Sequence, residues 1–102
     1  MIQEVTQIKE GIEQCKATGD MMPKPNFNGE GITVKEIRLR AIGSILYRRK
    51  YNVNFDNGDW IQIEYSSRRG DQKIPTAPHY SEVKVTCSDP SLNFTDGWDE
   101  KV

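Results

Sequence analysis

ITVKEIRLRAIGSILYRRK, residues 32–50, is the stretch on which the fold turns. Read as a helix, it offers Thr33 and Glu36 as a capping box and Ile32 with Ile37 as a hydrophobic staple. Read as strands, Ile37, Leu39 and Ala41 alternate with Arg38 and Arg40, and Ile45, Tyr47, Tyr51, Val53 and Phe55 share one parity. On a helical wheel the apolar and charged residues intermix, so no buried face emerges. Gly43-Ser44, between Ile42 and Ile45, is a permitted two-residue hairpin turn. The reading adopted is two strands, 32–42 and 45–55.

Downstream, YNVNF and WIQIEY flank DNGD, a second hairpin signal centred on Asn57-Gly58. A two-residue turn there would set Val53 opposite Gln62. An odd connection or a bulge sets Phe55 opposite Ile61 and Val53 opposite Ile63, which keeps the apolar sets on one face. Residues 66–79 read as a long loop. Residues 80–88 read as a last strand, with Ser81, Val83, Val85 and Cys87 on one side. Residues 89–102, DPSLNFTDGWDEKV, have no period and are acidic, and read as a tail.

Upstream, residues 2–17 place Ile2, Val5, Ile8, Ile12 and Cys15 at steps of three and four, the stripe of an amphipathic helix. Gly19 falls where a helix ends. Residues 20–31 carry Pro23, Pro25, Gly29 and Gly31 and read as a connection pinned by Phe27. The expectation is an α+β fold, an N-terminal amphipathic helix packed on a mainly antiparallel four-stranded meander. Residues 1–88 would form a single domain and 89–102 an acidic C-terminal tail.

Composition sets the limits. A chain of 102 residues is one domain, and 35% hydrophobic against 28% charged suits a small core. No stretch is apolar for long enough to span a membrane. The first residues lack the basic and apolar regions of a secretory signal, and the two cysteines are too few for a disulfide scaffold, so a cytoplasmic location is expected.

Charge is balanced overall, Lys and Arg 14 against Asp and Glu 15, but not locally. Lys35, Arg38, Arg40, Arg48, Arg49 and Lys50 face only Glu36 within residues 35–50, interleaved with Tyr47, and Arg68 and Arg69 follow. Arginine and tyrosine on a sheet can pair phosphates and stack bases, or dock a protein surface. Trp60 has the parity opposite to Ile61, Ile63 and Tyr65, which puts it on the face away from the helix or at the hairpin end.

Catalytic and metal chemistry are poorly supplied. His79 is the sole histidine, no Cys-x-x-Cys occurs, and Asp96, Asp99 and Glu100 lack the calcium-loop pattern. No phosphate-cradling glycine loop is present. Arg69-Gly70-Asp71 spells an adhesion tripeptide and Pro75-Thr76-Ala77-Pro78 a minimal proline-rich motif. Both fit a turn and a stiff linker as well as any ligand role.

The expectation is therefore a non-catalytic interaction or regulatory protein, with no cofactor and no metal. It would bind a protein partner through Arg38, Arg40, Tyr47, Arg48, Arg49, Trp60, Arg68 and Arg69. The alternative is nucleic-acid binding by the basic hairpin 35–50. A sheet edge would also permit a homodimer.

Overall fold

The structure, a computed structural model, describes residues 2–27, 29–69 and 79–101, the side chain of Arg69 excepted. Helix α1 (Ile2–Thr18) is followed by strands β1 (Ile32–Arg38), β2 (Ile45–Phe55), β3 (Trp60–Arg69), β4 (His79–Cys87) and β5 (Phe94–Glu100). The strands form one antiparallel sheet in the order β1-β2-β3-β4-β5. The fold is α+β, with five strands where the sequence suggested four.

The helix buries Val5, Ile8, Ile12 and Cys15, the expected stripe, while Ile2 at its end stays exposed. Gly19, at φ 75°, closes it by donating its N–H to the Cys15 carbonyl at 2.7 Å. The stripe covers one face of the sheet, where Tyr51, Val53, Ile61, Ile63, Tyr65, Val83, Val85, Cys87 and Trp98 complete the core. Met22 and Phe27 bring the connection after the helix back against that core. Among the described residues no helix lies on the opposite face of the sheet, and none is long and apolar enough to cross a membrane.

The 32–50 segment is a hairpin. The β1–β2 register runs from Ile32 opposite Phe55 to Arg38 opposite Arg49, and an Ile42–Ile45 bridge keeps the same register through the Gly43-Ser44 turn. Gly43 sits at φ 56°, as such a turn needs. The first strand stops at Arg38, short of the expected 42. Beyond it the pair is held by the Leu39 N–H on the Arg48 carbonyl and by Arg48 Nη1 on the Arg40 carbonyl, at 3.2 and 3.0 Å, in place of a regular ladder.

The second hairpin keeps its apolar residues on one face, but Val53 lies opposite Ile61 and Asn54 opposite Trp60, two places from the expected Val53–Ile63 pairing. A tighter connection, the three residues Asp56, Asn57 and Gly58, causes the offset. Phe55 N–H donates to the Asp59 carbonyl at 3.0 Å, Gly58 N–H to the Phe55 carbonyl at 3.1 Å, and Asp59 N–H to Asn57 Oδ1 at 3.0 Å. An irregularity between Ile45 and Tyr47 resets the register at the far end of β2.

Two further expectations are corrected. Residues 66–69 continue β3 rather than opening a loop, and β4 begins at His79. The adhesion tripeptide and the proline motif fall on residues 70–78, outside the described residues apart from Arg69's backbone. The supposed tail, residues 89–102, holds a 3-10 turn at Pro90–Leu92 and then β5, which pairs with β4 from Val85–Phe94 to His79–Glu100. Asp89 caps that turn through Ser91 N–H at 3.1 Å, and Asn93 Oδ1 accepts the Cys87 N–H at 2.9 Å.

Candidate interaction surfaces

Strand alternation divides the basic residues between two faces, because successive side chains point to opposite sides. Val34, Val53 and Ile61 lie on the helix side, so Glu36, Arg38, Tyr47, Arg49 and Tyr65 do too. Arg48, Lys50, Trp60, Glu64 and Arg68 occupy the open side, followed across β4 by Glu82 and Lys84. The expected single patch is thus divided. Arg38 and Arg49 belong to one surface and Arg48 and Arg68 to the other, because β1 takes its parity from Val34 rather than from Ile37. Arg40 is exposed beyond the end of β1, and Arg69 is placed only through its backbone pairing with His79.

Most of these arginines are already engaged. On the open side, Arg48 Nη2 lies 3.2 Å from Glu64 Oε1, and Arg68 Nη2 lies 3.8 Å from Glu82 Oε2. On the helix side, Arg49 Nε is 3.1 Å from Glu36 Oε1, an ion pair whose angle misses that of a hydrogen bond. The Arg49 guanidinium also lies over the Tyr47 ring at 4.4 Å. Among the described residues Arg38 and Arg40 have no ion-pair partner. Trp60 is 38% exposed on the open face, and Ile42 and Leu46 at the tip of the first hairpin are 60% and 51% exposed.

Where the helix-side face turns polar, it holds a buried hydrogen-bond cluster. Glu100 is 5% exposed. Its Oε1 accepts from Tyr65 Oη at 2.7 Å and its Oε2 from Ser67 Oγ at 2.8 Å, while Ser81 Oγ lies 3.2 Å from Tyr65 Oη. His79 Nδ1 stands 3.9 Å from Glu100 Oε2. Burial pushes the Tyr65 phenol far above its ordinary range; the hydrogen bond with Ser81 opposes the shift, and the Glu100 carboxylate adds to it. Tyr51 is raised to about 12, by burial first and then by Tyr47 and Glu36. Every member of this cluster is tied to another, the pattern of a satisfied interior network.

The thiols lie inside. Cys87 Sγ donates to the Asp89 carbonyl at 3.0 Å. Cys15 is buried, and its thiol is raised by that burial and then by Asp20 and Glu100, which disfavours the reactive thiolate. No cluster of metal-ligating side chains occurs among the described residues.

Sequence reasoning named Lys50 within the basic run but did not bring it together with Glu64 and Lys84. They form one cross-strand row on the open face, Lys50 opposite Glu64 and Glu64 opposite Lys84. The row is visible only once the register is known. Comparison with protein-family models, with curated proteins and with solved structures found no match.

Proposed function

We propose that the chain is a non-catalytic interaction protein that docks a protein partner on the open face of its sheet. The observation that carries this reading is a sheet closed on one side by α1 and left open on the other by the described residues, with Trp60 exposed upon the open side. Exposed tryptophan is a typical anchor of a binding surface. Arg48 and Arg68, held by Glu64 and Glu82, offer that partner oriented guanidinium edges at reduced ordering cost. The committed thiols and the self-satisfied Glu100 cluster support a role without catalysis. The free thiols of Cys15 and Cys87 support a cytoplasmic setting.

Nucleic-acid binding by the hairpin 35–50 is the second reading, favoured by Arg38 and Arg40, which no carboxylate among the described residues neutralises. Against it stands the pairing of Arg48, Arg49 and Arg68 with carboxylates that would repel phosphate.

The test is capture from native cells on immobilised wild type, on Trp60→Ala and on the helix-side control Lys9→Glu, each checked for folding by circular dichroism. A protein held by wild type and the control after nuclease treatment, and lost from Trp60→Ala, supports docking. Retention that nuclease abolishes transfers the function to nucleic acid. Nothing retained by folded wild type sinks the docking reading.

A further inference from the structure

The open face has a chemical preference in its centre. Lys50, Glu64 and Lys84 lie side by side on β2, β3 and β4. Glu64 is already bound to Arg48. One carboxylate thus stands among three cations and pairs with Arg48, and neither lysine has an ion-pair partner among the described residues. Lys50 and Lys84 stand about 10 Å apart, two strand spacings. With Gln62 and Thr86 they line a shallow depression of about 220 Å³. Each of these residues brings hydrogen-bond donors, and the only negative group on its floor is Glu64. Toward the His79 end of the face, Arg68 is offset by Glu82, so the unbalanced charge is concentrated on the central row. The exposed side of α1 is different in kind, carrying Glu10 and Glu13 between its lysines.

We infer that the partner presents an acidic protein surface and sets carboxylates onto Lys50 and Lys84. This rests on the docking reading above and names the chemistry of the partner. Charge complementarity carries it, since an uncompensated cation row in a donor-lined depression attracts anions and repels basic surfaces. Carboxylates fit better than a nucleic-acid strand. Glu64 and Glu82 break the positive track that a phosphate backbone needs. Trp60 and Tyr80 cannot stack neighbouring bases, because Tyr80 pairs with Arg68, about 27 Å along β3 from Trp60.

The experiment is a titration of isotope-labelled full chain with a short Glu-rich peptide, followed by amide chemical shifts at low and at moderate salt. The expected result is a set of shifts centred on Lys50, Glu64, Lys84 and Thr86 that weakens as salt rises. Lys50→Glu with Lys84→Glu should weaken binding at least about tenfold. Should that variant fail to fold, Lys50→Gln with Lys84→Gln carries the same test with a smaller loss. Absence of shifts in wild type, shifts centred elsewhere, or binding indifferent to both variants overturns the inference. Tighter binding of a single-stranded oligonucleotide than of the peptide at the same residues overturns it in favour of nucleic acid. A captured protein partner that ignores the lysine substitutions also overturns it, yet leaves the docking reading standing. Failure to capture any partner strikes the docking reading, while the peptide titration still decides the preference of the face.

Discussion

Tyr65 on β3 donates its hydroxyl to Glu100 on β5 at 2.7 Å, across a strand that lies between them. Glu100 is in register with His79, and the β4 residue beneath the crossing is Ser81, fully buried and small enough to let the carboxylate pass above it. The bond fastens the last strand to the middle of the sheet by a route independent of the ladder. Ser67 Oγ repeats the fastening on the other carboxylate oxygen at 2.8 Å. A buried carboxylate is tolerable on these terms, since both oxygens accept from hydroxyls.

Glu100→Ala removes the acceptor, strands the buried Ser67 hydroxyl and leaves the Tyr65 hydroxyl only its longer contact with Ser81 Oγ. The expected cost is about 2–3 kcal/mol, in line with leaving buried polar groups without partners. Glu100→Gln keeps one carbonyl acceptor and should cost less. Urea unfolding of the three proteins, compared at equal slope, checks the order. Equal stability of Glu100→Ala and wild type would show that β5 does not depend on the crossing.

Burial of the phenols gives an alkaline signature. Tyr51 in the fold ionises near 12, and Tyr65 is displaced in the same direction, whereas an unfolded tyrosine ionises near 10. Both folded values are raised, so their contribution to stability is fully present below pH 10. It is lost as pH climbs from there toward the folded values, because only the unfolded chain releases the protons. Ultraviolet titration should find these two phenols silent until the protein unfolds. Tyr65→Phe should flatten the fall of stability above about pH 10, although it also gives up the bond to Glu100. A phenolate forming at Tyr65 near pH 10 in the folded state would contradict this.

The parts of the fold visible in the sequence were those in which burial follows a period. Val5, Ile8, Ile12 and Cys15 mark α1, and Ser81, Val83, Val85 and Cys87 mark β4, because each set faces the same apolar core. β5 left no such mark. Its buried positions include Trp98 and Glu100, it contains Gly97, and Asp96 sits on its helix-facing side, held by Lys16 at 2.7 Å. A strand stabilised by ion pairs and hydrogen bonds does not alternate in hydrophobicity. The faces of the arginines were hidden for a related reason. β1 carries Ile37 toward solvent and Glu36 and Arg38 toward the helix side, so the apolar alternation in that segment points to the wrong side. Trp60, whose parity is set by the apolar pair Ile61 and Ile63, lies on the open face, one of the two places that parity allowed.

Two glycines should respond to alanine in opposite directions. Gly11 lies inside α1 with open space where a Cβ would go. Glycine in a helix interior costs about 1 kcal/mol relative to alanine, so Gly11→Ala should stabilise by about that amount. Gly97 lies in β5 beneath the Tyr80 phenol, and a Cβ there would collide with the ring and its hydroxyl. Gly97→Ala should therefore destabilise unless Tyr80 swings away. Thermal midpoints, one above and one below wild type, are the check, and a lowered midpoint for Gly11→Ala would mean that its open space is occupied in solution.

Arg38 and Arg49 stand directly opposite each other in the β1–β2 pair, on the same side of the sheet. Like charges in that position oppose folding. Arg49 is relieved by Glu36, which also lies 3.9 Å from Lys24, whereas Arg38 has no carboxylate partner among the described residues. Arg38→Glu turns a repelling pair into an attracting one and should stabilise by about 0.2–1 kcal/mol. The gain should shrink as salt rises, since the site is exposed and screened. Denaturant midpoints at low and high salt measure both effects. A loss of stability in Arg38→Glu would mean that Arg38 makes a favourable contact in solution, and a gain that salt leaves untouched would assign the effect to strand propensity instead of charge.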